Sequence, residues 1–137
     1  MDTVASRWIA LTPYFLSLLR IIAAFVFIQY GTTKLFALPG AIVPGGGTVP
    51  LMSQGGAASV IEIVGGTLML LGLFTRPVAF VLAGEMAFAY FIGHAGQGFW
   101  PVLNGGVPAV IFCFVWLYCS AAGGGPLSAD AALQRKV

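Results

Sequence analysis

The chain has 137 residues, 59% of them hydrophobic and 7% charged, with a formal net charge of +2 and a mean hydropathy of +0.99. A soluble domain carries about 25% charged residues, so this chain lacks the charge to coat a water-exposed surface. It reads as one compact integral membrane domain. The weak, scattered positive charge excludes a nucleic-acid footprint, and no nucleic-acid partner is expected.

Residues 1–12 form a short N-terminal segment. The first predicted span runs from Pro13 to Leu38, longer than the roughly 20 residues a bilayer core requires. It carries Arg20 and has no small-residue cleavage site, so it reads as a retained helix and not as a signal peptide. At about 100° per residue, Arg20, Ala24, Phe27, Gly31 and Lys34 share one face. The two cations stand about 21 Å apart along the axis. Gln29 falls on the opposite face, a secondary polar candidate.

Residues 39–56, PGAIVPGGGTVPLMSQGG, hold too many prolines and glycines for a continuous helix. They are expected to fold back over the outer face of the bundle, with a short helix around Leu51. The Gly45–Gly47 run follows no strand, so it is no phosphate cradle.

The second predicted span, Ala57 to Phe74, carries Glu62, with Ala58 and Gly66 one turn either side. The third, Pro77 to His94, carries Glu85 beside Gly84, with Ala89 a turn on. Small residues at this spacing allow close helix approach in lipid. Thr75-Arg76-Pro77 is predicted to be a tight turn, with Pro77 at the first helical position. These two spans form an antiparallel hairpin.

AGQGFWPVLNG (residues 95–105) is the second outer loop. It holds Trp100 at the membrane interface and Asn104, a further secondary polar candidate. The fourth predicted span runs from Gly105 to Ala122. Its Cys113 and Cys119 are about 240° apart around a helix, too far to bridge, and read as small core residues. Residues 123–137 break the helix and form a polar tail. The predicted fold class is an all-α membrane protein: a four-transmembrane-helix bundle (residues 13–122) with two Gly/Pro-rich outer loops.

Lysine and arginine set the orientation. Arg7, Arg76, Arg135 and Lys136 fall at one end and Lys34 at the other, so both termini are expected on the cytoplasmic side. The outer loops would then face the periplasm of a bacterial inner membrane.

Four ionisable groups lie within the spans: Arg20, Lys34, Glu62 and Glu85. A charge at a helix centre costs about 2.5–3.5 kcal/mol on insertion scales, so each is expected to face the bundle interior. Depth along the helices pairs Lys34 with Glu62, and Arg20 with Glu85. Three readings of the set stay open. They are ion pairs that only fix helix register, a polar pocket for a quinone head group, a small substrate or a proton, or contact with a partner's helix. His94, the single histidine, ends the third span as an interfacial polar residue, and no metal site is expected.

Several stretches resemble the DoxX family of small four-helix membrane proteins. They are IQYGTTKL in the first span, EIVGGTLMLLGLFTRP in the second, AGEMAFAYF in the third, the turn PVLNGGVPAVIF, and the closing GGGPLSADAAL. Together they cover roughly residues 14–133. Val107 stands where the family turn often has glutamate, and Ala129 where the closing motif has leucine. If that glutamate serves a shared activity, this chain lacks it. The resemblance implies one of three roles: quinone-linked electron transfer with thiosulfate, partnership with soluble redox enzymes in oxidative stress, or receptor assembly in a distant branch. The expected function is an accessory membrane subunit of a redox system that binds no cofactor alone, with quinone drawn from the lipid pool. Its partner would be another membrane or soluble redox protein, or a second copy of the chain. The alternative is a structural or assembly protein whose buried charges specify packing and docking.

Overall fold

The computed structural model describes residues 3–135. The elements in chain order are α1 (Thr3–Ala10), α2 (Thr12–Phe36), α3 (Gln54–Leu71), α4 (Thr75–Phe88), α5 (Pro101–Asn104), α6 (Val107–Ala122) and α7 (Ala129–Gln134). Among the described residues there is no strand. Helices α2, α3, α4 and α6 pack in a cycle, α2 on α3, α3 on α4, α4 on α6, and α6 back on α2. Three helical stretches, Thr12–Phe36, Gln54–Leu71 and Thr75–Gln97, are long and apolar enough to cross a membrane. The fourth, α6, is apolar but has 16 residues, about 24 Å at 1.5 Å per residue.

Small residues decide how closely the helices meet. A Cβ on Gly31 would lie 2.7 Å from the Ser59 carbonyl oxygen and 2.7 Å from Ile63 Cγ1. One on Gly66 would lie 2.7 Å from Ile28, and one on Gly65 2.6 Å from Leu82. The shared face of α2 is the one read from the sequence, with Arg20, Ala24, Phe27 and Gly31 all buried. Gly84 differs: no atom lies within 4 Å of its would-be Cβ, so it is not a packing residue.

The ends of the elements depart from expectation where polar groups intervene. The separate helix expected near Leu51 is a single turn that runs into α3, whose N-cap Ser53 accepts a hydrogen bond from Gly56 N at 3.0 Å. The α3–α4 turn is Gly72–Phe74, not Thr75–Pro77. Gly72 ends α3 at φ +69°, and α4 starts at Thr75 because Asp130 accepts from Phe74 N (2.9 Å) and Thr75 N (2.8 Å). Pro77 then sits in the first turn, where its missing N–H costs nothing. Beyond Phe88, residues Ala89–His94 widen into a π-helical turn.

Residues 123–128 fold back under the bundle. Ser17 Oγ donates to the Gly124 carbonyl at 3.1 Å and accepts from Leu127 N at 3.1 Å. Arg7, Arg76 and Arg135 belong to elements at or beside this end; Lys136 lies outside the described residues.

Candidate functional site

The two cations of α2 serve opposite ends of the bundle. Arg20 is fully buried, and its guanidinium meets only carbonyl oxygens. Nε donates to Gly124 at 3.0 Å. Nη1 donates to Met69 and, at 2.8 Å, to Leu70, and Nη2 donates to Leu127 at 2.5 Å. Met69 and Leu70 are in the last turn of α3, where the exposed carbonyls and the helix dipole favour a cation. The expected Arg20–Glu85 pair therefore does not form. Glu85 lies ten residues up α4, roughly 15 Å from the end where Arg20 is held.

The Lys34–Glu62 pair does form. Lys34 Nζ is 2.7 Å from Oε1 and 2.6 Å from Oε2 of Glu62, whose residue is 3% exposed. The close approach of α2 to α3 at Gly31 brings them together, since a side chain there would also press on Glu62 Cβ at 3.2 Å. This pair forms one end of a cavity of about 280 Å³ among α2, α3, α4 and α6. Its walls include Phe27, Tyr30, Met86 and Phe112, and His94 joins the polar end. Behind it Phe27, Phe112 and Trp116 form an aromatic cluster, with ring centroids 5.1 to 6.0 Å apart.

His94 is tied to the loop between α4 and α6. Its Nδ1 lies 3.0 Å from the Asn104 carbonyl oxygen. A carbonyl only accepts, so Nδ1 carries the proton. Asn104 is buried; its Nδ2 donates to the Gly98 carbonyl at 2.7 Å and its Oδ1 accepts from Gly106 N at 2.8 Å. Tyr90, in the π turn, donates its hydroxyl to the Phe99 carbonyl. Asn104 thus shapes the loop that positions His94. Gln29 stands apart, donating weakly to Phe25 O at 3.4 Å beside a different shallow cavity.

Glu85 lines another cavity, of about 350 Å³, between α3 and α4. Both its carboxyl oxygens are buried without a hydrogen-bond partner among the described residues. The four charges read as one set therefore separate into a carbonyl clamp, an ion pair and a lone acid.

The sequence reading missed Asp130, Ser17 and Arg76 as structural polar groups and Tyr30 as a cavity wall. Arg76 donates to the Ala121 carbonyl and, at 3.4 Å, to that of Ser120, at the end of α6. A carbonyl partner leaves no trace in sequence, but Ser-x-Asp after a glycine run is a helix-start signal that points to residues 128–130. Both cysteines are free thiols.

The family model for DoxX matches residues 15–95. The chain belongs to the DoxX family. The matched DoxX region holds most of α2, all of α3 and α4, and the π turn, and with them Arg20, Lys34, Glu62, Glu85 and His94. The turn and tail that resemble the family lie beyond it. An uncharacterised protein of Haemophilus influenzae is 44% identical over 129 residues, covering 90% of this chain and 94% of its own length. No solved structure matches the chain significantly.

Proposed function

We propose that this DoxX protein crosses a bacterial inner membrane four times, with both termini cytoplasmic, and is an accessory subunit of a quinone-linked or oxidative-stress redox system. The cavity at Lys34 and Glu62 is its ligand site. One observation carries this reading: an aromatic-walled cavity of about 280 Å³ ends in a lysine, a carboxylate and a histidine. Small-molecule pockets are mostly apolar with a few placed polar groups. This volume lies near the lower limit of about 300 Å³ for such pockets, enough for a ring whose tail leaves toward lipid. Lys34 has three donor hydrogens; Glu62 engages its ammonium and leaves donor capacity for a carbonyl oxygen. His94 Nε2, with Nδ1 committed to Asn104, is the complementary acceptor. Electrons would come from a partner protein, since this chain supplies binding and orientation.

The test is equilibrium binding of a short-tailed ubiquinone to the full chain in nanodiscs, read by quenching of tryptophan fluorescence. Saturable binding that weakens at least about tenfold in Lys34→Met is expected, with helical content retained. No saturable binding to the wild type overturns the reading. Native mass spectrometry with an absorption spectrum of gently solubilised material then shows whether a redox protein travels with the chain.

A second reading is favoured by Arg20. Its clamp on four carbonyls is purely structural, and the same role extended to Lys34 and Glu62 gives an assembly protein. A Lys34→Met/Glu62→Met double variant that loses its partners or its folded assembly would support it, and one that folds and assembles but no longer binds quinone would count against it.

A further inference from the structure

We infer that the Glu85 cavity is a separate binding site, entered sideways from the lipid, for an amphiphilic amine whose ammonium group meets the Glu85 carboxylate. This does not rest on the quinone reading, because it concerns a different cavity. Ala58 on α3 and Phe88 and Ile92 on α4 and the π turn form its apolar walls, with Gln54 and His94 toward its outer end. Phe88 is 54% and Ile92 60% exposed, so these walls reach the outside of the bundle and the cavity opens laterally.

Three observations select the ligand class. Both Glu85 carboxyl oxygens are buried and have no donor among the described residues. A buried polar group left unpaired is destabilising, more so when charged, so a donor from outside the chain that satisfies it is bound in preference to one that cannot. The nearest cation, Lys34, is held by both oxygens of Glu62 and lines the other cavity. The charged groups whose fields reach Glu85 are Glu62 and Lys34, which engage each other, so the Glu85 carboxyl has no charge partner of its own among the described residues. A cation with N–H donors complements it; an anion or a bare carbonyl does not.

Depth narrows the source. Glu85 is nine residues before His94, roughly 12–14 Å below the outer end of the span. A phospholipid ammonium at head-group level does not reach that far in. A single-chain amine does, with its tail along Phe88 and Ile92.

The test uses the full chain in phosphatidylcholine nanodiscs with dodecylamine as probe, and dodecyltrimethylammonium (a cation without N–H) and dodecanol (a neutral donor) as controls. Binding is read by native mass spectrometry and by ligand-dependent thermal shift. Dodecylamine is expected to bind one to one and at least about tenfold more tightly than either control. Glu85→Gln, nearly isosteric, is expected to abolish that preference. Ala58→Phe is expected to block binding by filling the cavity while leaving the carboxyl in place. The Lys34→Met/Glu62→Met variant is expected to lose quinone but keep dodecylamine, which separates this site from the other. Equal binding of dodecylamine and dodecanol, or undiminished dodecylamine binding in Glu85→Gln, overturns the proposal.

Discussion

Arg20 shows why a buried cation in a membrane helix is not by itself a functional signal. Its donors meet carbonyls from the last turn of α3 and from the segment after α6. The planar fork of arginine suits several acceptors at fixed angles, whereas lysine concentrates its donors on one nitrogen. Arg20→Lys keeps the charge but cannot reach both α3 and the tail. It is expected to cost about 2 kcal/mol, and Arg20→Met more, because carbonyls are left bare at about 1–3 kcal/mol each. Thermal unfolding in detergent checks both. An unchanged midpoint in Arg20→Met would remove the clamp from the account. None of these partners was legible beforehand, since backbone oxygens are the same at every position. The Lys34–Glu62 pair was legible, because a shared face and a matching depth are both written in residue spacing.

Among elements, the contact of α2 with α3 is the one that builds the candidate site. It depends on Gly31, where a Cβ would meet the Ser59 carbonyl and Ile63 at 2.7 Å each. Gly31→Val must therefore push the two helices apart. Overpacking of this kind costs about 1–3 kcal/mol, and here it would also separate Lys34 from Glu62. Gly84→Val meets nothing within 4 Å and is expected to leave stability within about 0.5 kcal/mol of wild type. Comparing the two midpoints in one detergent tests the assignment, and equal losses would contradict it. The apolar runs were readable to within a few residues. Missed were the π turn at Ala89–His94, which has no composition of its own, and the start of α4, which Asp130 sets from more than fifty residues away.

At the scale of the whole molecule, the tail closes one end of the bundle and carries its own titrating latch. Burial pushes the Asp130 carboxyl up, but the Thr75 and Phe74 N–H groups and the charge of Arg20 outweigh it and hold it below the usual carboxylate range. With the folded value depressed, the latch contributes fully above the unfolded value of about 3.9. It is lost as pH falls through that value toward the lower folded one. Hydrogen exchange at the Phe74 and Thr75 amides is expected to quicken, relative to the intrinsic rate, as pH drops from 6 to 3. Asp130→Asn should show weak protection across the whole range. A wild-type profile as flat as the variant's would refute the latch.

The clamp on Arg20 also sets a timetable. Gly124 and Leu127 stand 104 and 107 positions downstream of it. At about 5–20 residues per second on the ribosome, roughly 5–20 s pass between the making of Arg20 and the arrival of its last acceptor. Through that interval a charged side chain waits in the nascent helix with only the α3 carbonyls to receive it. A chain that stalls before Gly124 leaves the Arg20 guanidinium without its Gly124 and Leu127 acceptors, so the α2–α3 pair cannot reach its final arrangement until residues 124–127 have been made.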